Sequence, residues 1–315
     1  MRRFFVPLSF LVLLLTPALA SAQAKRTPQD LLKQSKRIVF LGDSITAAGQ
    51  YVAAFDAWLL TQKLEHPPVV IDAGLSSETV SGLSEDGHAG GKFPRPDLAE
   101  RLDRVLASTK PDLIFACYGI NCGIYQPFDE ERFKSYQKGM EHLRMAAEKA
   151  GATVIHITPP SFDDVRGKRN FSYNEVLDRY SDWLLSQRDK GWLVIDLHHP
   201  MSRALAERRK EEPNFTFQPD AVHPNDAGHW FIAQQIIRWF GDDTVEKANS
   251  PPEMLAAHGV AKEVFPLVQQ RMSVLRDAYV AVAGHKRPGV AKGLPVPEAE
   301  AKAAEFTAKI QELMK

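Results

Sequence analysis

The strongest constraint on how this chain can fold is a rhythm of five short apolar runs, each followed by a longer amphipathic or polar stretch. Arg37–Leu41, Val69–Asp72, Leu113–Tyr118, Thr153–Thr158 and Leu193–Leu197 read as strands buried on both faces. Between and after them, Ala53–Leu64, Leu98–Ser108, Glu130–Lys149, Tyr173–Lys190 and Gly228–Phe240 place apolar residues at helical spacing, with Pro or Gly at most junctions. Strands that alternate with helices of this length require right-handed crossovers. The expectation is therefore an α/β fold, a three-layer α/β/α sandwich around a five-stranded parallel sheet. In such a sheet ligands bind outside the carboxyl ends of the strands, so the loops that open near Gly42, Asp72, Tyr118, Thr158 and Asp196 are where chemistry belongs.

The ends of the chain differ from its middle. Arg2 and Arg3 precede an apolar run from Phe4 to Leu15 and a small-residue stretch Ala18-Leu19-Ala20-Ser21-Ala22. That is the layout of a signal peptide over residues 1–22. The run is too short for the roughly 20 residues that cross a bilayer, so a secreted or periplasmic protein with no integral membrane domain is expected. Beyond Gly241 the break Ser250-Pro251-Pro252 leads into Ala-, Glu- and Lys-rich helical segments near Val260–Val282 and Glu298–Met314. Their apolar stripes, Val264, Leu267, Met272 and Leu275, then Phe306, Ile310 and Leu313, suggest helices packed on a domain rather than a free tail. The expected division is a domain over 30–242 and a helical extension over 250–315.

Charge and cysteine content narrow the function classes. Lys+Arg and Asp+Glu both total 39, so no global field draws the protein to nucleic acid or to an acidic membrane, and a small or neutral partner is expected. With only two cysteines, Cys117 and Cys122, neither a disulfide scaffold nor a four-cysteine zinc site is possible. Two buried thiols and a Cys117–Cys122 bridge both remain open.

Three groups of residues at strand ends carry chemistry. Gly42-Asp43-Ser44-Ile45-Thr46 puts Ser44 at a strand-to-helix turn, where it is either a helix N-cap or a nucleophile beside an unpaired backbone N–H. No Gly-x-x-x-x-Gly-Lys-[Ser/Thr] loop or Gly-x-Ser-x-Gly elbow is present. Downstream, Asp220-Ala221-Val222-His223-Pro224 supplies an acid three residues before a histidine, in a segment that Pro224 keeps out of a helix. A serine hydroxyl needs such a base, and the base needs a third group to fix its tautomer. Gly119-Ile120-Asn121 offers close backbone approach and an amide donor for a developing oxyanion. The glycine-rich stretch from Ser81 to Pro96 is long enough to border such a site, and Tyr118, Tyr125, Phe128 and Phe162 are candidates for an aromatic wall. Asp196, His198, His199, His223 and His229 are metal-ligand types, but their spacing matches no metal signature. His198-His199 reads as the start of a loop that caps the segment before Pro200.

Taken together, the Gly-Asp-Ser, Gly-x-Asn and Asp-x-x-His-Pro blocks resemble those of the SGNH, or GDSL-type, hydrolases, serine esterases and lipases of flavodoxin-like architecture, over about residues 36 to 240. The resemblance implies Ser44 as nucleophile, His223 as base and Asp220 as the group orienting it. It also implies an oxyanion hole from the Ser44 N–H, the Asn121 side chain and a backbone N–H at Ser77. Family members carry glycine where Ser77 stands in Ser76-Ser77-Glu78-Thr79, and aspartate where Cys122 follows the Gly-x-Asn block. Ser77 can serve if it tolerates the local backbone angles. The implied activity is hydrolysis of short acyl or acetyl esters, such as acetylated carbohydrates, with no metal or cofactor. Acyl transfer by the same triad, and a non-catalytic carbohydrate-binding or adhesion module, are the alternatives.

Overall fold

A computed structural model describes residues 27–315, and the signal peptide expected over 1–22 lies outside them. The strands are β1 Arg37–Gly42, β2 Val69–Asp72, β3 Leu113–Cys117, β4 Thr153–Ile157 and β5 Leu193–Ile195. They form one sheet in the order β2-β1-β3-β4-β5, every neighbouring pair parallel. Ile38, Val39, Phe40 and Leu41 are all fully buried, so both faces of β1 are covered, which makes the α/β sandwich three layers thick.

Helices occupy Gln50–Thr61, Leu98–Thr109, Glu130–Lys149, Asn174–Ser186, His198–Glu211 and Asp226–Trp239. Phe40 stacks on Phe115 of the next strand at 4.7 Å, and Phe55 meets Phe115 edge-on at 5.2 Å, tying helix Gln50–Thr61 to the sheet. Each such ring contributes roughly 1.5–3 kcal/mol of burial. The strand order reverses between β1 and β3, so the loops after Gly42 and Cys117 part there and leave a crevice.

One local expectation is corrected and one open alternative is decided. His198 and His199 do not start a loop; they begin the helix His198–Glu211. Thr158, at the end of β4, explains this, because its Oγ1 accepts the N–H groups of both Leu197 and His198 at 2.8 and 2.9 Å. Pro200 then sits in the first turn, where its missing N–H costs nothing. The thiols of Cys117 and Cys122 are free and buried, not bridged.

Of the C-terminal helices, Val264–Ala283 lies against the domain and Val296–Leu313 packs on Val264–Ala283. Val264, Val268, Met272 and Leu275 join the core, and Arg271 Nη2 donates to both carboxylate oxygens of buried Asp56, at 2.8 and 2.9 Å. In the last helix the buried stripe is Ala299, Ala303 and Ile310, while Leu313 is exposed. Small residues let this helix approach closely, which its larger apolar residues did not reveal. No helix among the described residues is long and apolar enough to cross a membrane.

Candidate active site

Glycine shapes the first corner of the crevice. A Cβ at Gly42 would come within 2.0 Å of Thr46 Oγ1 and 2.9 Å of the Cys117 carbonyl, so only glycine lets the next turn fold back against β1. Asp43 then caps the short helix Ser44–Ala47, its carboxylate accepting the Ile45 N–H at 3.0 Å. Burial lifts the Asp43 pKa to about 7, against the opposing pull of the Ile45 N–H and the His223 charge. Capping by Asp43 leaves the Ser44 hydroxyl free of that task. Its Oγ lies 2.8 Å from His223 Nε2.

The Asp220–His223 segment is a tight loop. Ala221 adopts a left-handed φ of 77°, which lets the N–H groups of Val222 and His223 both donate to Asp220 Oδ1, at 3.0 and 2.7 Å. The second carboxylate oxygen lies 2.7 Å from His223 Nδ1. Partial burial alone would raise the Asp220 pKa, but the bonds from the His223 ring and the two backbone N–H groups outweigh it, and the pKa falls. An ionised Asp220 holds the proton on Nδ1 and leaves Nε2 as the acceptor facing Ser44.

Opposite these residues stand Ser77 and Asn121. Ser77 has φ 69°, the left-handed region that favours glycine, and it is held there by its neighbour. Glu78 is fully buried, with Arg101 bonded to both of its oxygens at 2.6 and 2.7 Å and the Tyr118 hydroxyl donating at 2.6 Å. Asn121 Nδ2 donates to the Glu78 carbonyl at 3.3 Å, and its Oδ1 accepts the Tyr125 hydroxyl at 2.9 Å. With the amide oxygen held by Tyr125, one amide hydrogen remains for a ligand.

Ser44, Ser77, Asn121, Asp220 and His223 border one cleft of about 390 Å³. His88 and Arg95 reach it from the Ser81–Pro96 stretch, and Tyr125 and Phe162 supply aromatic surface. Tyr118 is instead buried on Glu78, and Phe128 packs against Phe133 away from the cleft. The sequence reading missed Glu78, Arg101 and the link from Tyr125 to Asn121, since nothing in residue spacing signals a pairing between separate elements. His198 and His199 turn to Asp178 and Asp196, and the described residues contain no group of three or more His, Cys, Asp or Glu side chains arranged to hold a metal. A larger cavity of about 670 Å³ lies under the C-terminal helices, but its Asp56 and Arg271 are already spent on each other.

Comparison with known proteins adds the lineage. The family described as "GDSL-like Lipase/Acylhydrolase family" matches residues 40–231. BT4096, a gut microbial diltiazem-metabolizing enzyme, is 23% identical with a TM-score of 0.53, over 65% of this chain and 47% of its own. This chain thus spans about half the length of that protein. LAE5, an alpha/beta hydrolase enzyme from the metagenome of Lake Arreo, Spain, is 24% identical with a TM-score of 0.51, over 66% of this chain and 96% of its own. The acetyl xylan esterase AlAXEase is 21% identical with a TM-score of 0.50, over 64% of this chain and 98% of its own. At these identities the likeness is one of fold. No curated protein matches the chain. The family match covers more than half of the sequence, from within β1 to beyond β5, and on that basis the chain belongs to the GDSL-like lipase/acylhydrolase family, the SGNH-type esterases.

Proposed function

We propose that the protein is a serine ester hydrolase in which Ser44 attacks the ester carbonyl, His223 takes the hydroxyl proton and Asp220 holds the imidazole. The observation that carries this reading is the continuous relay of 2.8 Å from Ser44 Oγ to His223 Nε2 and 2.7 Å from Nδ1 to Asp220. As the carbonyl becomes tetrahedral, its oxyanion receives the Ser44 and Ser77 backbone N–H groups and the free Asn121 amide hydrogen. Proton return from His223 expels the alcohol and leaves an acyl-enzyme. Water deprotonated at Nε2 then releases the acid.

Hydrolysis is favoured over transfer because the His223 side chain is 52% exposed, so water reaches the base directly. The modest cleft supports a short acyl group, and an acetylated saccharide is the substrate we favour. Export by residues 1–22 belongs to the same proposal.

The decisive experiment treats the purified protein with a short-chain aryl ester and a serine-directed phosphonate. One serine should be labelled, and Ser44→Ala should lose label and turnover together, by roughly 10⁴–10⁶-fold in rate. Turnover above about a hundredth of wild type in that variant would remove Ser44 from its role.

A further inference from the structure

The charged groups around the cleft do not follow the neutral balance of the whole chain. Arg95, Arg166 and Arg169 all line it. Arg95 is buried and neutralised by a bidentate pair with Glu85, both bonds 2.6 Å long. Asp220 is committed to His223. Arg166 and Arg169 have no carboxylate partner among the described residues; the side chain of each donates one hydrogen bond, to the backbone carbonyl of Asn214 and Tyr125 respectively, at 2.8 Å.

The two acids nearest in sequence are turned elsewhere. Asp163 is buried on Arg209 and Thr216, and Asp164 accepts from Ser172 and from the Tyr173 N–H. Arg169 is further fixed by aromatic faces, its guanidinium 5.3 Å from the Tyr125 ring centre and 5.7 Å from that of Phe162. A guanidinium has five N–H donors, so a single carbonyl leaves most of them unused. Two positioned guanidiniums with spare donors on one cleft favour a planar or tetrahedral oxyanion as ligand.

We infer that the esterase prefers esters of acidic saccharides, with Arg166 and Arg169 binding an oxyanion group, carboxylate or sulfate, on the sugar that carries the acyl group or on its neighbour. This rests on the serine-esterase reading above. Both arginines are exposed, so each contact is partly screened. Their joint effect should be about tenfold in kcat/KM, less than the hundredfold of a fully desolvated pair.

The test uses the full chain and matched substrates: an O-acetylated oligogalacturonide with free carboxylates, the same oligomer methyl-esterified, and O-acetylated xylo-oligosaccharides with and without sulfate. Released acetate gives kcat/KM for each. An acidic member should exceed its neutral partner by about tenfold, and the preference should shrink in 1 M salt, where the Debye length is about 3 Å. Whether the carboxylate or the sulfate pair shows it identifies the oxyanion. In Arg166→Gln and Arg169→Gln the acidic-to-neutral ratio should fall towards one, and Arg166→Lys should keep part of it. Equal rates on acidic and neutral partners in the wild type, or ratios unchanged in both glutamine variants, would overturn the inference while leaving the esterase intact. Absence of acetate release from every substrate, together with no phosphonate labelling, would instead strike the esterase reading itself.

Discussion

Ser77 is the residue whose conformation says most about the site. Its φ of 69° places an L-residue where glycine is at ease, and the buried Glu78–Arg101 pair next to it makes relaxation costly. The glycine that the family resemblance implies at this position has a physical reason: the turn needs the left-handed region, not the absence of a side chain in the cleft. Ser77→Gly should therefore keep kcat/KM within about tenfold and gain up to about 1 kcal/mol, the strain relief offset in part by greater freedom of the unfolded chain. Asn121→Ala deletes a donor instead of relaxing one, and should lower kcat by about 10²–10³ with little change in KM. Steady-state kinetics and thermal melts on both variants separate these cases. A Ser77→Gly enzyme as impaired as Asn121→Ala would make the Ser77 hydroxyl itself a participant.

At the scale of elements, the carboxyl ends of β1 and β2 carry buried carboxyl groups, Asp43 just after β1 and Asp72 at the end of β2. Asp72 ends β2 with Oδ1 accepting the Gly74 N–H at 2.8 Å, while its buried Oδ2 has no hydrogen-bond partner among the described residues. Burial raises its pKa to about 7, against the opposing influence of the Gly74 N–H, Arg276 and Arg101. The folded form thus favours the neutral acid. That preference stabilises the protein fully below the unfolded carboxylate pKa near 4 and is lost as pH rises through 7. Asp72→Asn removes the titration, so its melting temperature relative to wild type should climb by a few degrees between pH 5 and pH 8. A constant difference across that window would show that Asp72 is not protonated in the folded protein. The strands and the helices with apolar stripes were readable from periodicity, whereas the helix at His198 was not, because its first N–H groups are held by Thr158, in the loop just after β4.

For the whole molecule, the proposed division into a domain over 30–242 and an extension over 250–315 meets a constraint at Asp56. This aspartate is buried on helix Gln50–Thr61 and its countercharge, Arg271, comes from the C-terminal helix Val264–Ala283. Removing one member of such a pair strands a charge out of water. Arg271→Met should cost about 3–5 kcal/mol in urea unfolding, and Asp56→Leu added to it should recover much of that loss. Additive losses in the double variant would mean that packing around the helix, not the pair, carries the stability. Arg276 on the same helix donates to the Ala47 carbonyl at 3.0 Å, just behind the turn that presents Ser44, so the extension also braces the site from outside.

The local signals in this chain are those that one stretch of sequence can carry alone. Alternating apolar runs and helical stripes determined the parallel α/β sheet, and the Gly-Asp-Ser and Asp-x-x-His-Pro blocks contain their own turn chemistry, the Asp43 cap and the Asp220 loop. What only the tertiary structure decided are relations between elements distant in sequence. Glu78 finds Arg101, Tyr125 orients Asn121, Asp56 meets Arg271, and two arginines whose neighbouring acids are engaged elsewhere come to face the cleft. Hydrogen bonds and ion pairs act over a few ångströms of space, and no periodicity along the chain records which side chains the fold brings that close.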